Sequence, residues 1–214
     1  MGPFFDDCER SRSGTYARLI YTGPWTRPAQ ATRRFVCTSD KDEYDDLQRD
    51  VPATAAWYMT PRPGMDASSR ECFELLSLTV DGDEVSVRRS ERRHSQAYVA
   101  TLPDSAVIEG HPVRIRHIYR VVTPTWGHRL FVQLPQPARN VTLSMDYTNT
   151  DIAYLSVTDT VSSKSRAQIY RLPEDVPGRA ITVDIPGWLL PSAGFAFTWT
   201  LNEELPRSEH SKAA

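Results

Sequence analysis

Arginines cluster in two places in this chain, and the spacing of one cluster could create a binding surface for anions. Between Gly110 and Ala138 there is no acidic residue, but there are four arginines: Arg114, Arg116, Arg120 and Arg129. Alternate residues of a β-strand point to the same face, so the first three would line one side of a strand. A guanidinium is a planar fork that binds carboxylates and phosphates through paired hydrogen bonds. This spacing predicts a basic strand face that engages an anionic ligand.

A second basic cluster lies upstream, at the end of another predicted strand, and consists of Arg88, Arg89, Arg92, Arg93 and His94. If the two strands are neighbours, the clusters merge into one anion-attracting surface. Trp126 and His128 follow the arginine strand, where an aromatic ring could stack on a base while arginines hold phosphates. Trp57 is flanked by turn residues, which favours a pocket wall, although core packing is the usual place of a tryptophan. The predicted ligand-binding set therefore consists of Arg114, Arg116, Arg120, Arg129, Arg88, Arg92, Arg93, Trp126, His128 and Trp57.

A solvated sheet face is the simpler interpretation of the arginine stripe. Charged residues are common on the exposed side of antiparallel sheets, and acids on neighbouring strands can neutralise them. Asp146 and Asp184 lie in later predicted strands and are candidate partners. Exposed ion pairs contribute little free energy, so a stripe of charge does not by itself establish binding. The pattern therefore has two interpretations.

No arrangement for catalysis is assembled locally in the sequence. The G-x-S-x-G elbow that would present a nucleophilic serine is absent, and so are the glycine-rich phosphate loops. A site built from distant residues stays open, with His94 and His128 as acid–base candidates because neither lies in an apolar segment. We predict no catalytic residue.

Metal ligands are scattered rather than clustered. The cysteines are too far apart to form a CxxC pair: Cys8, Cys37 and Cys72. Cys37 and Cys72 lie in apolar patterns, where they would pack as small hydrophobes. His117 shares its strand face with apolar residues, which indicates a buried, hydrogen-bonded histidine. We predict neither a metal site nor a cofactor.

The overall composition excludes several broad classes of protein. The 214 residues are 40% apolar and 24% charged, which is enough for a sizeable core. A formal net charge of −2 gives no general attraction to nucleic acid or membranes, so nucleic acid is a partner only through a local patch. No apolar run is long enough for a transmembrane helix, and residues 1–12 lack a secretion-signal core. We predict a cytoplasmic bacterial protein without membrane insertion.

Short alternating apolar segments, separated by turn residues, recur in the manner of sandwiches and barrels. The predicted strands are Tyr16–Thr22, Arg33–Thr38, Ala55–Met59, Cys72–Val80, Val85–Arg89, Gln96–Leu102, Val113–Thr123, Leu130–Leu134, Val141–Tyr147, Ile152–Thr158, Ala167–Leu172, Ile181–Ile185 and Phe195–Leu201. The Asp-Gly pair at 81–82 predicts a hairpin. A helix is predicted over Asp40–Asp50, capped by Ser39 or Asp40, and a second helical turn competes with strand near 65–71.

These elements predict an all-β fold, mainly antiparallel, with a β-sandwich or jelly-roll-like architecture and one or two short helices. A single domain over 14–205 is expected, with a sub-boundary near 103–110 as the alternative. The polar ends, 1–13 and 206–214, are expected to be flexible. The abrupt polar start also fits a domain excised from a longer chain.

The functional hypothesis is a non-enzymatic binding or sensory module, such as the regulatory domain of a larger bacterial protein. It would engage an anionic, nucleotide-like ligand or a protein partner through the basic strand face and loops. The alternatives are a hydrolase or lyase with dispersed His and Asp residues, and a structural coat or appendage subunit. The sequence leaves the oligomeric state open.

Overall fold

The computed structural model describes residues 15–24, 32–49, 54–107, 112–123, 127–134, 137–159, 167–190 and 193–206. Within them lie fourteen strands: β1 (Thr15–Pro24), β2 (Thr32–Thr38), β3 (Thr54–Tyr58), β4 (Phe73–Val80), β5 (Asp83–Glu84), β6 (Val87–Glu91), β7 (Ser95–Thr101), β8 (Pro112–Val121), β9 (Arg129–Gln133), β10 (Ala138–Asp146), β11 (Ile152–Asp159), β12 (Gln168–Arg171), β13 (Ala180–Leu189) and β14 (Gly194–Leu201). One α-helix, α1 (Lys41–Arg49), and two 3₁₀ turns, Asp104–Ala106 and Asn202–Glu204, complete the elements of this part of the chain.

The strands form three sheets. The large sheet has the order β12-β13-β10-β1-β8-β4-β5, the four-stranded sheet β3-β2-β7-β6 and the three-stranded sheet β11-β14-β9. Among the described strands every pairing is antiparallel except that of β2 with β3, which run parallel because α1 returns the chain to the same end. The predicted all-β, mainly antiparallel, sandwich-like fold is confirmed.

The inner faces of the three sheets share one hydrophobic core. Residues opposite each other in an antiparallel pair point to the same face, so His117, Leu143 and Val183 lie on one face of the large sheet. The four-stranded sheet packs there through aromatic rings, with Trp57 4.5 Å from Phe73 between ring centroids. The three-stranded sheet adds buried residues of β11 and β14 to the same cluster. The other face of the large sheet carries its polar side chains.

Strand β8 has the alternation that its sequence predicts. Five residues of one parity are almost completely buried: Val113, Ile115, His117, Tyr119 and Val121. The residues between them are exposed or half-buried on the outer face. The period-two pattern therefore assigned both faces of this strand correctly.

The Asp-Gly pair forms a tight turn, but a shorter hairpin than predicted. Asp81 and Gly82 have φ angles of 53° and 103°, and the positive φ at both positions is that of a type I′ turn. Strand β5 pairs with β4 for two residues only, and the chain then crosses to β6 in the four-stranded sheet. The N–H of Val85 still donates to the carbonyl of Leu78 on β4 at 2.9 Å, but Val87–Glu91 pairs with β7 instead of β4. Val85 and Val87 are partly buried against the hydrophobic core, which draws the chain away from β4.

Helix α1 begins where the sequence predicts. Asp40 caps it, because its carboxylate accepts the N–H groups of Asp42 (2.9 Å) and Glu43 (3.1 Å). The helix packs on the outer face of the four-stranded sheet, where Val36 is buried beneath it and Tyr44 contacts Tyr58 at 5.5 Å between ring centroids. The stretch near 65–71 forms successive turns rather than a helix and leads directly into β4.

Several sequence predictions concern residues outside the described ranges. These are the flexible ends (apart from Pro206), Cys8 and Trp126. The bounds of the single domain stay a prediction. Among the described helices, none is long and apolar enough to cross a membrane.

Candidate functional site

An open cleft of about 600 Å³ lies beside α1, on the outer face of the four-stranded sheet. The helix forms one wall, and the turn between β6 and β7 forms the other. The lining residues are Arg34, Asp40, Glu43, Asp46, Leu47, Arg92, Arg93, His94 and Ser95. Three arginines and a histidine therefore meet three carboxylates around one concavity.

The basic wall is held in a fixed position. The turn closes when the N–H of Arg92 donates to the carbonyl of Ser95 at 2.7 Å, which places Arg93 and His94 at its tip. The carbonyl of His94 then accepts the N–H of Ser39 at 2.9 Å, just before the helix. This bond fastens the turn to the start of α1, so the cationic side chains project from a pre-organised backbone.

The carboxylates of the cleft are already engaged within the protein. Glu43 accepts the hydroxyl of Thr38 at 2.7 Å and lies 3.8 Å from the guanidinium of Arg92. Asp40 caps the helix, and Asp46 pairs with Arg49 at 2.9 Å. In contrast, neither Arg93 nor His94 has a carboxylate within 4 Å among the described residues.

The sheet beneath the cleft extends this basic surface. Arg88 on β6 and Arg34 on β2 both pair with Val99 of β7, so the two arginines flank one apolar residue on the outer face. Ala97 occupies the next outward position of β7. Guanidiniums around a small apolar floor could hold phosphate or carboxylate groups by bidentate hydrogen bonds while an uncharged part of the ligand rests on the sheet.

The arginines of β8 lie on one face as predicted, but they are less available to a ligand than the arginines of the cleft, because they have partners within the protein or are partly buried. Arg120 donates to Glu74 at 3.1 Å and to the carbonyl of Arg70 at 3.3 Å. The carboxylate of Asp81 accepts the N–H of Arg114 at 2.8 Å and so sits beside that residue. Arg116 is partly buried opposite Thr79.

The acids expected to neutralise this stripe do not do so. Asp146 and Asp184 lie on β10 and β13, which are separated from β8 by β1. Asp184 accepts the hydroxyl of Thr142, and Asp146 accepts the N–H of Thr148 at 2.8 Å. The neutralising acid is Glu74 of β4, the direct neighbour of β8.

The two basic clusters do not merge as strand neighbours. β8 belongs to the large sheet and pairs with β1 and β4, whereas β6 is the edge of the four-stranded sheet. From the predicted set the cleft therefore gathers Arg92 and Arg93, with Arg88 on the adjoining sheet surface, and the β8 arginines lie elsewhere.

The remaining predicted site residues occupy other places. Trp57 is partly buried in the aromatic contact between sheets, with Phe73 at 4.5 Å and Tyr119 at 4.9 Å. His128 is fixed by the carbonyl of Trp199, 3.1 Å from its Nδ1, and by Glu204, 3.2 Å from its Nε2. Arg129 begins β9 of the three-stranded sheet.

Sequence reasoning did not assign Arg34 to the site. Arg34 and Val36 are two residues apart on β2 and therefore share its outer face, and a predicted helix follows directly. The alternation of β2 was thus a signal that Arg34 faces the helix side of the sheet. What the sequence lacked was the antiparallel register of β2 with β7, which brings Arg34 beside the β6–β7 turn.

The buried titratable groups are not suited to acid–base work near neutral pH. Burial, assisted by the charge of Arg33, lowers the pKa of His117 to about 3, so its ring stays neutral. Burial raises the pKa of the Cys37 thiol, which keeps it protonated and poorly nucleophilic. Within the described ranges, no group of three or more His, Cys, Asp or Glu side chains is placed to hold a metal ion.

Comparison with known proteins gives no relative: no protein-family model matches the chain, and no curated protein matches it. Function is therefore argued from the geometry of the cleft and the charges around it.

Proposed function

We propose that this protein is a binding module that holds an anionic, nucleotide-like ligand in the cleft beside α1. The observation that carries the proposal is the convergence of Arg34, Arg92, Arg93 and His94 on one concavity. Hydrogen bonds between backbone groups fix the turn that bears three of them, so a ligand does not have to order the backbone of this turn when it binds. The carboxylates of the acidic wall have partners within the protein, Arg92 among them, whereas Arg93 and His94 have no carboxylate within 4 Å in the described part of the chain.

The size of the cleft suits a ligand larger than a free phosphate. A volume of about 600 Å³ lies within the usual range of small-molecule sites. Leu47 supplies an apolar contact in the wall, opposite the arginine-bearing turn. In this proposal the phosphates contact the turn and the base contacts the apolar part of the cleft.

A cytoplasmic location and a regulatory role in a bacterial protein belong to the same proposal. Cys37 is a buried free thiol, and thiols of this kind persist in reducing compartments. A rigid site without assembled catalytic groups suits the detection of a ligand rather than its conversion.

The test of the cleft is a comparison of two double variants with the same change of charge. We expect R92E/R93E to weaken binding of ATP or pyrophosphate at least about 100-fold, because two charge-assisted contacts become repulsive. R114E/R116E, on the outer face of the large sheet, should bind within about twofold of wild type, since screening weakens distant surface charges. Isothermal titration calorimetry with AMP, ADP, ATP and pyrophosphate measures both.

The outcomes of this titration separate the competing interpretations. Loss of binding in R114E/R116E alone would move the site to the β8 face, and a wild-type protein that binds none of the four probes would overturn the proposal. Consumption of ATP that disappears in His94→Ala would instead establish the enzymatic alternative.

A single substitution should improve binding. Glu43→Gln retains an oxygen that accepts the hydroxyl of Thr38 but removes the negative charge 3.8 Å from Arg92. We expect affinity for pyrophosphate to rise about two- to fivefold, the effect of removing one partly exposed opposing charge. The same titration measures it, with Asp146→Asn, on the outer face of the large sheet, as a matched control that should leave affinity unchanged.

A further inference from the structure

The outer face of the three-stranded sheet exposes two aromatic rings. Phe131 on β9 and Tyr154 on β11 are 53% and 55% exposed, although large hydrophobic side chains are usually covered. Both point away from the core, because their strand neighbours Leu130 and Leu155 point into it. The central strand of this sheet, β14, lies between the two rings.

Each ring has an arginine against it. The guanidinium carbon of Arg129 lies 5.5 Å from the ring centroid of Phe131, and that of Arg171 lies 4.9 Å from the ring centroid of Tyr154. These are cation–π distances. Since both rings stay more than half exposed, an aromatic ring face is accessible beside each positive charge.

The surface between the rings is rich in hydroxyl groups. Thr198 of β14 pairs with Arg129 on one side and with Ser156 on the other, and Thr200 pairs with Tyr154. No bulky outward side chain separates the two rings at these positions. From strand spacing and rise per residue, the Cα atoms of Phe131 and Tyr154 lie ~16 Å apart, so one compact ligand does not cover both rings.

The charge of this face has a single sign. No acidic side chain occupies an outward position of the three strands among the residues whose side chains are described; the outward set is Arg129, Phe131, Gln133, Tyr154, Ser156, Thr158, Ala196, Thr198 and Thr200. Glu204 follows β14, outside the three strands, with a carboxylate oxygen 3.2 Å from Nε2 of His128. The face therefore favours an anion that can also stack.

We infer that this face binds single-stranded nucleic acid. Aromatic platforms stack bases of any sequence, and adjacent arginines hold the phosphates between them. The separation of the rings requires a polymer, and the arginines favour one with a charged backbone over a neutral oligosaccharide. This inference does not depend on the cleft beside α1, which lies on another sheet.

The experiment is fluorescence anisotropy with short labelled oligo(dT) and oligo(U). We expect wild type to bind both, with affinity that falls as salt rises, and F131A/Y154A to lose more than about tenfold, because each base–aromatic contact contributes substantially. Tyr170→Ala is the matched control, since Tyr170 is 53% exposed on the outer face of the large sheet. Its affinity should equal that of wild type.

Two further measurements complete the test. R92E/R93E should bind oligo(dT) like wild type if the aromatic face is the site, whatever that variant does to nucleotide binding. The inference fails if wild type binds neither oligonucleotide, or if Tyr170→Ala weakens binding as much as F131A/Y154A. Binding of neutral oligosaccharides that is lost only in F131A/Y154A would assign the face to carbohydrate instead.

Discussion

Acidification should destabilise this protein by about 3–5 kcal/mol through His117 alone. The ring is 4% exposed on the inner face of β8, and burial, with Arg33 second, lowers its pKa to about 3. In the unfolded chain the pKa of histidine is about 6.5. Between these values the unfolded state binds a proton that the native state excludes, so stability is full near neutral pH and falls as the pH decreases towards about 3.

Urea unfolding between pH ~3.5 and ~7 measures this slope. Hydrogen bonds from the side chain and backbone of Ser68 hold the pKa of Asp66 below its usual value, so this carboxylate also contributes stability that is lost on acidification. The comparison must therefore be with a variant. His117→Leu places an apolar side chain that does not titrate at this position and should flatten the profile by about the expected 3–5 kcal/mol. The neighbours that face His117 are Arg33 and Phe35 on β2 and Tyr119 on its own strand, and the variant leaves all three in place. An unchanged slope in His117→Leu would contradict the assignment.

Replacing Trp57 with alanine should cost about 3–5 kcal/mol of unfolding free energy. Trp57 lies in the four-stranded sheet, and its ring contacts Phe73 and Tyr119 of the large sheet. The ring is also hydrogen-bonded to the Tyr119 side chain. Loss of the ring opens a cavity between the two sheets and leaves the buried hydroxyl of Tyr119 without that partner. Burial also raises the pKa of Tyr119 to about 12, so the hydroxyl stays neutral and needs hydrogen bonds.

The Trp57 experiment also distinguishes a packing residue from a ligand contact. Urea denaturation of Trp57→Ala and Trp57→Phe gives the change in unfolding free energy. We expect the loss in Trp57→Phe to be more than half of the loss in Trp57→Ala. Calorimetric titration of Trp57→Ala with pyrophosphate, under conditions where it is folded, should show wild-type affinity. A variant of wild-type stability that no longer binds the probe would restore Trp57 to the ligand-binding set.

Local features of the fold were predictable because they depend on neighbours in sequence. The alternation around His117 assigned the two faces of β8, and the carboxylate of Asp40 marked the start of α1. The Asp-Gly pair gave the turn after β4 because positive φ is tolerated at both residues. In each case the pattern or hydrogen bond that decides the local structure involves residues close together in the sequence.

The candidate site was only partly predictable. Arg92 and Arg93 were identified from their clustering, but the wall that faces them is α1, and Arg34 joins them through the register of β2 with β7. The β8 stripe was the stronger sequence signal, yet Glu74 on the neighbouring strand engages Arg120. A periodic pattern shows which side chains share a face, but it does not show what lies opposite.

The positions of most strands, their inward-facing residues and the start of the helix were already encoded in local sequence patterns. These follow from side-chain periodicity and capping, which are properties of short segments. Only the tertiary structure decided that the strands divide into three sheets, that β6 and β8 are not neighbours, and that the arginines of the β6–β7 turn face α1 in a cleft. Strand pairing depends on the apolar surface that segments far apart in the sequence bury together, and a local pattern carries no information about those distant segments.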